Sequence, residues 1–173
     1  MLWVTASTSP KPADVLPVEH YVAGLARKRQ VAGVLFRDED GRVLLAEPTY
    51  KPNWEIPGGA VEADESPWSA AAREVAEELG LDRPLGRLLV VDYVRPQDNR
   101  PEGVVFLFDG GVLSGADLAG LTPAATEIRS VGFYSLDEIR ARTKQLLADR
   151  IAVGLAAARD GVTALCEQGV RVA

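Results

Sequence analysis

Three glutamates fall close together on one predicted helix, in a pattern that indicates a site for a divalent cation. Glu74, Glu77 and Glu78 stand at positions i, i+3 and i+4, which places their carboxylates on one helix face. Like charges at this spacing repel one another, and the last turn of a helix disfavours anions. Mg²⁺ or Mn²⁺ would remove this conflict, because these ions bind a few carboxylates together with the phosphates of a substrate. The chemistry indicated is hydrolysis of a phosphoanhydride, and the alternative is a solvated acidic helix face.

The residues around these glutamates predict a glycine turn followed by a capped helix. Gly58 and Gly59 follow a proline, so the chain can turn sharply there. Ser66 offers a hydroxyl to cap the helix, and Pro67 suits its first position. Gly80 is expected to end the helix in the left-handed conformation. Four residues at helical spacing are expected to form its buried stripe: Trp68, Ala72, Val75 and Leu79.

The spacing of the whole segment, residues 59–81, is more specific than the three glutamates. Its specified positions are Gly59, Glu65, Arg73, Glu74, Glu77, Glu78 and Gly80. If each matches by chance at roughly one residue in fifteen, the full pattern arises in on the order of one window in a hundred million. The segment resembles the signature box of the Nudix hydrolases with every fixed position filled, and residues 54–58 resemble the strand that leads into that box. The similarity is expected to extend over residues 30–145.

The resemblance implies which residues would hold the metal. The positions of Glu77 and Glu78 ligate Mg²⁺ or Mn²⁺ in this family, and the position of Glu74 serves as a further ligand or as the catalytic base. The backbone carbonyl at the Gly58 position often completes the set. All of these implied ligands are oxygen atoms, which hard divalent cations prefer.

The resemblance also implies supporting roles within the box. Arg73 and Glu65 occupy positions that pair with each other and hold the loop against the helix. Gly59 and Gly80 occupy the structural glycine positions. Residues of this kind orient the metal ligands without taking part in the chemistry, yet their loss usually harms such sites.

Glu127 is the candidate outside the box. It lies in a predicted loop, residues 122–129, just before the last predicted strand. Several Nudix hydrolases place a catalytic or metal-binding glutamate in such a loop, and the alternative is a solvated carboxylate. Glu74 and Glu127 therefore compete for the role of the base that takes a proton from the attacking water. His20, the only histidine, is expected to be structural or solvated, because it precedes the core domain on the surface of a predicted helix.

A second loop, residues 95–103, is expected to line the substrate cleft. Arg95 or Arg100 could bind a second phosphate there through two hydrogen bonds, while Trp54 could border a base or belong to the core. The resemblance implies a nucleoside diphosphate linked to another moiety as substrate, such as ADP-ribose, a nucleotide sugar or a nucleoside triphosphate. The alternative function is a non-catalytic nucleotide-binding module of the same fold, used for regulation or interaction. Such modules usually lose a box glutamate, and none is missing here.

Composition and charge agree with one compact cytoplasmic enzyme. The chain has 173 residues, a usual length for one domain. Its 19 basic and 25 acidic residues give a net charge of −6, which argues against binding to a nucleic-acid polymer. Cys166 is the only cysteine, so a reducing compartment and a role as a small core hydrophobe are expected. No signal-like segment or apolar run of ~20 residues predicts export or a membrane span.

The coarse map predicts an α/β fold, a Nudix-type α/β/α sandwich around a mixed sheet. Residues 1–29 are expected to form an extended arm and a short helix, residues 18–29, with the arm available for strand pairing or for a homodimer contact. Residues 30–173 are expected to form the catalytic domain. Its predicted strands are residues 30–37, 42–46, 88–94, 104–108 and 131–134, and its later helices are residues 136–147 and 149–159. Asp40 and Gly41 predict the first hairpin turn, and the box is expected at the edge of the sheet.

Overall fold

The computed structural model describes residues 17–97 and 100–173. Its helices, in chain order, are α1 Val18–Ala23, α2 Pro67–Leu79, α3 Gly115–Gly120, α4 Leu136–Arg142 and α5 Gln145–Asp160. Its strands are β1 Arg29–Arg37, β2 Val43–Pro48, β3 Gly58–Ala60, β4 Leu88–Val94, β5 Gly103–Val112, β6 Ile128–Tyr134, β7 Ala164–Glu167 and β8 Val170–Arg171. The predicted extended arm, with its suggested roles in strand pairing and in a homodimer, lies in residues 1–16, outside the described residues.

Eight strands of the described chain form one mixed sheet. Its order is β6-β2-β1-β5-β4-β7-β8, with β3 paired to β1. The β1–β5 and β4–β7 pairs are parallel, and the other pairs are antiparallel. Val34 and Phe36 of β1 pack with α2 on one face of the sheet, while Leu35 packs with α4 and α5 on the other. Because helices cover both faces of a mixed sheet, the predicted fold class is confirmed.

Helix α2 begins and ends where predicted, but its buried face differs. The Ser66 hydroxyl accepts a hydrogen bond from the Ser69 backbone nitrogen at 3.1 Å, and Gly80 ends the helix with φ of 64°. The predicted stripe is wrong at Trp68, which is 45% exposed and meets the Phe108 ring edge-on, with 5.2 Å between the ring centroids. The buried residues of the helix are Ala70, Ala71, Val75 and Leu79. Small side chains let the helix approach the sheet closely, so the bulky indole is left at the margin.

Other predicted boundaries also differ from the structure. The first helix ends at Ala23 rather than at residue 29, because the chain continues into β1. The helix predicted over residues 136–147 ends at Arg142, since Thr143 is extended (φ −108°, ψ 169°) and its hydroxyl donates to the Ile139 carbonyl. The box begins in β3, a three-residue strand that pairs with β1 alone, at the middle of the strand order. The hairpin between β1 and β2 is confirmed, whereas α3, β7 and β8 are absent from the predicted map.

Candidate active site

The glycine turn brings the start of the box against the central strand. Gly58 and Gly59 of β3 pair with Gly33 and Ala32 of β1. Gly58 has φ of 144°, and a β-carbon there would collide with the Ala32 carbonyl oxygen. A β-carbon at Gly59 would collide with the carboxylate of Glu74. The two glycines therefore permit close approach of the backbone, one to β1 and the other to a box glutamate.

Arg73 links the box loop to helix α2. Its Nε and Nη2 atoms lie 3.0 and 3.1 Å from the two carboxylate oxygens of Glu65, and Nη2 also donates to the Ala60 carbonyl at 3.2 Å. Its Nη1 atom donates to Glu74 and to Glu77 at 2.9 Å each. The Arg73 hydrogen bonds are the main reason that the pKa of the Glu65 carboxyl is lowered. The structure therefore contains the expected pair between Arg73 and Glu65. Arg73 also binds two of the three glutamates on α2, Glu74 and Glu77.

The three glutamates of α2 have different surroundings. Glu78 turns inward, and its Oε2 atom accepts a hydrogen bond from the Gly58 backbone nitrogen at 2.9 Å. The Glu74 side chain lies beside the same turn and is 17% exposed, whereas that of Glu77 is 60% exposed. Within the described residues, no group of three or more Asp, Glu, His or Cys side chains is arranged to hold a metal ion as it stands. Of the three predicted glutamate ligands, Glu74 and Glu78 thus meet the glycine turn, and Glu77 remains at the surface.

The surroundings of Glu78 disfavour its negative charge. Burial is the largest cause of a rise in the pKa of the Glu78 carboxyl to about 7. Negative charges on Glu74, Glu127 and Glu55 add to this rise, and the backbone hydrogen bond from the glycine turn opposes it. Three other carboxylates therefore lie within electrostatic range of Glu78. Their oxygen atoms are the donors that a hard divalent cation prefers, so this donor set fits Mg²⁺ or Mn²⁺.

The loop that carries Glu127 packs against the C-terminal end of α2. The Ala124 backbone nitrogen donates to the Glu78 carbonyl at 3.0 Å, and the Glu127 carbonyl accepts from the Thr49 backbone nitrogen at 2.8 Å. The Glu127 residue is exposed. Backbone hydrogen bonds therefore bring this loop to the box, and the charge on Glu127 acts on the Glu78 carboxyl.

Glu55 belongs to the same charge cluster and was missed by the sequence-based prediction. Its backbone pairs with Ala46 of β2, and its carboxylate lies 2.6 Å from the Lys51 Nζ atom. Its negative charge contributes to the raised pKa of Glu78. The signal that could have found it is its position in the segment that leads into the box, just before Gly58.

A cavity of about 350 Å³ opens beside the glycine turn, between β1 and the start of α5. Trp54 and Arg100, two of the predicted substrate-binding residues, line it. Arg95 lies outside its wall, because its backbone nitrogen donates to the Gln168 side chain and its guanidinium lies 3.5 Å from Glu167. The cavity has the size of ordinary small-molecule pockets. Gly58 and Gly59 both line the cavity, so it adjoins the carboxylates of Glu74 and Glu78 that meet this turn.

Three other residues singled out in the sequence have defined surroundings. His20 is exposed on α1, as expected of a solvated histidine. Cys166 is buried in β7 within the core that α5 covers, which confirms its expected packing role. Trp54 packs edge-on against Tyr134, with 5.1 Å between the ring centroids, so it belongs to the core as well as to the cavity wall.

Residues 27–153 match a family model described as a NUDIX domain. The chain belongs to the Nudix hydrolase family. A MutT-like protein from Streptomyces ambofaciens is 35% identical over 121 residues, which cover 70% of this chain and 72% of that protein. Diphosphoinositol polyphosphate phosphohydrolase 2 from Rattus norvegicus is 47% identical over 64 residues, or 36% of each chain. An ADP-ribose pyrophosphatase from Streptococcus suis has a similar structure, with a TM-score of 0.59 and 25% identity over 82% of this chain and 99% of that one.

Beyond the family match, this Nudix hydrolase adds a C-terminal extension to its sheet. Residues 154–173 form the end of α5 and the hairpin of β7 and β8, which lies beside β4. The match begins at residue 27 and β1 begins at Arg29, while the division of the chain between residues 29 and 30 stays a prediction. In the described part of the chain, every helix is too short or too polar to cross a bilayer.

Proposed function

We propose that this Nudix hydrolase uses Mg²⁺, or Mn²⁺, to cleave a phosphoanhydride by attack of water at phosphorus. Its substrate would be a nucleoside diphosphate linked to another moiety, such as ADP-ribose, a nucleotide sugar or a nucleoside triphosphate. The observation that carries the proposal is the half-buried Glu78 carboxyl, which accepts a hydrogen bond of 2.9 Å from the Gly58 backbone nitrogen. Its pKa of about 7 reflects burial and the charges of neighbouring carboxylates. A hard cation bound to these oxygen atoms would offset the negative charge that the fold gathers there.

The box glutamates and the glycine turn would hold the cation. Its ligands would be Glu74, Glu77, Glu78 and the Gly58 carbonyl. The Glu77 side chain is 60% exposed, so it has room to turn from Arg73 toward the other ligands. When bound, the cation would offset phosphate charge and lower the pKa of a water molecule. The pair between Arg73 and Glu65 holds the loop against α2 and would keep the ligand glutamates in position.

Two carboxylates fit the role of the base. Glu74 accepts a hydrogen bond from Arg73, which holds its carboxylate beside Gly59. Glu127 is exposed on a loop that packs against α2. Either could take the proton of the attacking water as the phosphorus–oxygen bond of the leaving group breaks. The variants Glu74→Gln and Glu127→Gln distinguish the two roles. Loss of the base removes the acidic limb of the pH–rate profile, whereas loss of a metal ligand raises the metal concentration at half-maximal rate.

The names of similar proteins support a phosphate-bearing small molecule as substrate. The rat relative is named for diphosphoinositol polyphosphates, and the streptococcal structure is named for ADP-ribose. A nucleic-acid polymer is a poor partner for a chain with a net charge of −6, because such binding rests on cationic side chains that neutralise phosphates. We also infer a cytoplasmic location for this enzyme, since its single cysteine is typical of reducing compartments.

Product-resolved mass spectrometry tests this function. The purified chain with Mg²⁺ is incubated with ADP-ribose, nucleotide sugars and nucleoside triphosphates, beside the variants Glu78→Gln and Glu39→Gln. Glu39 is exposed in the turn between β1 and β2, far along the chain from the box, so its variant controls for the loss of one carboxylate. Wild type and control should form phosphate products that carry oxygen from labelled water, and Glu78→Gln should be at least about a hundredfold slower. Equal turnover in Glu78→Gln would rule out the proposed site, and folded protein inactive on every substrate would favour the non-catalytic module.

A further inference from the structure

The cavity beside the glycine turn concentrates positive charge in a chain whose net charge is −6. The basic residues that line it are Arg29, Lys51, Arg100, Lys144 and Arg150. Among the described residues, Glu55 is the one acidic member of its wall. The basic side chains come from distant segments, so the fold gathers them and the local sequence does not. Cations grouped in one concave site raise the local potential and attract anions.

Two of these cations are already paired. The Lys51 Nζ atom lies 2.6 Å from the Glu55 carboxylate. Arg150 donates through Nε and Nη2 to one carboxylate oxygen of Asp92, at 2.8 and 2.6 Å. Asp92 is fully buried and Arg150 is 7% exposed, so this pair forms a rigid part of the cavity wall. The charge that these two cations could offer to a ligand is therefore largely offset.

The other three cations of the wall are Arg29, Arg100 and Lys144. Arg29, Arg100 and Lys144 form no ion pair with any residue in the described ranges 17–97 and 100–173. Arg100 and Lys144 are exposed and line the cavity, so an anion in the cavity can contact their nitrogen atoms. The cavity therefore has unused capacity for negative charge.

We propose that this cavity binds phosphate beyond the anhydride that is cleaved, so that the substrate carries at least one additional phosphate group. This inference rests on the proposed hydrolysis at the box. The cavity reaches Gly58 and Gly59, and Glu78 accepts a hydrogen bond from Gly58, so one molecule can contact both the glutamates and the cations. Guanidinium and ammonium groups suit phosphate oxygens. The metal at the box would already offset the charge of the two anhydride phosphates. Arg29, Arg100 and Lys144, which form no ion pair within the described residues, therefore favour a further phosphate.

Titration calorimetry with inositol hexakisphosphate tests the cavity without any reaction, because this compound contains no anhydride. With the full chain in EDTA, binding should weaken about tenfold in Lys144→Gln and in Arg100→Gln, a loss typical of one charged hydrogen bond. Both residues are exposed, so these variants should keep the fold. Arg140→Gln is the matched control, since Arg140 is an exposed cation paired with Asp137 outside the cavity wall. Absence of binding to wild type, or equal weakening in the control, overturns the inference.

Diadenosine polyphosphates test whether the cavity selects the substrate, because their ends stay constant while the number of phosphates changes. With Mg²⁺, kcat/KM should rise at least about tenfold from the diphosphate to the tetraphosphate, mainly through KM, and Lys144→Gln should abolish the rise. Equal kcat/KM across the series overturns the inference. Failure to hydrolyse every phosphoanhydride tested would instead overturn the proposed function, and the calorimetric titration would still decide what the cavity binds.

Discussion

The carboxylate of Glu74 occupies the space that a side chain at Gly59 would fill. Any β-carbon at Gly59 collides with this carboxyl group, which also accepts a hydrogen bond of 2.9 Å from Arg73. The backbone of the glycine turn at Gly59 is therefore in direct contact with the side chain of Glu74 on α2. The contact gives a physical reason for glycine at this position of the box, and it can be tested by adding one methyl group.

Gly59→Ala should lower Mg²⁺-dependent turnover by about tenfold or more, because the added methyl group displaces the Glu74 carboxylate. Gly59 is not among the residues with positive φ, and the crowded group is the end of a flexible side chain, so the cost in stability should be about 1 kcal/mol or less. Turnover and thermal unfolding are measured on the same preparations. Gly115→Ala is the matched control, since a β-carbon there meets no atom within 4 Å. Normal turnover in Gly59→Ala would show that the reaction does not depend on this position of Glu74.

Arg73→Lys should weaken both the fold and metal binding. The guanidinium donates to Glu65, Glu74 and Glu77, and an ammonium group cannot reproduce the two-point pair with Glu65. We expect the free energy of unfolding to fall by about 1–3 kcal/mol and the Mg²⁺ concentration at half-maximal turnover to rise about tenfold. Urea denaturation and metal titration measure these changes, with Arg140→Lys as control. A loss of stability with unchanged metal dependence would limit Arg73 to holding the loop.

The caps of the box helix could be predicted from sequence because their physics is local. The Ser66 hydroxyl and the left-handed Gly80 act on backbone groups within one helical turn. The buried face was harder, since periodicity alone does not decide which of two adjacent registers meets the sheet. At Trp68 a bulky apolar residue suggested burial, yet the neighbouring Ala70 and Ala71 let the helix lie closer to the sheet.

The long-range parts of the site could not be predicted. Arg29, Lys144 and Arg150 come from β1, the residue before α5, and α5 itself, and only the packed fold brings them to one cavity. Arg95 and Arg100 belong to one loop, but the C-terminal hairpin holds Arg95 away from the cavity wall. That hairpin was missing from the predicted map, so no local pattern could separate the two arginines.

Without a divalent cation, the protein should lose stability as the pH rises from about 5 to about 8. The pKa of the Glu78 carboxyl is about 7 in the folded chain, against an ordinary value of 4.5. Below the ordinary value this carboxyl is neutral in both states. At higher pH the unfolded chain releases the proton first, so stability falls until the pH passes the folded value. The full difference corresponds to about 3 kcal/mol.

Urea denaturation in EDTA at the two ends of this pH range measures the loss, and Glu78→Gln is the variant that assigns it. Because glutamine does not ionise, the variant should lose much less stability over the same range. Mg²⁺ added to wild type at the higher pH should restore stability, since binding to the folded state offsets the carboxylate charge. The same pH dependence in wild type and Glu78→Gln would contradict this assignment.

Arg150→Met should destabilise the chain strongly, because it leaves the buried Asp92 carboxylate without its cation. Asp92 is fully buried, and its remaining hydrogen bond comes from the Gly169 backbone nitrogen at 3.0 Å. Removing one partner of such a pair costs about 3–5 kcal/mol, whereas replacing both with apolar residues is often far less harmful. The double variant Asp92→Leu with Arg150→Met should therefore recover much of the loss.

Urea unfolding of wild type, both single variants and the double variant gives the coupling free energy between Asp92 and Arg150. If the stability losses of the two single variants add up to the loss of the double variant, Asp92 and Arg150 are not coupled, which would contradict the ion pair. Arg150 also lines the cavity, so the double variant separates its contribution to stability from its contribution to anion binding. If it regains stability but binds inositol hexakisphosphate more weakly than wild type, the guanidinium contributes to the cavity as well as to the core. If binding is unchanged, Arg29, Arg100 and Lys144 supply the attraction, because Asp92 already offsets the charge of Arg150.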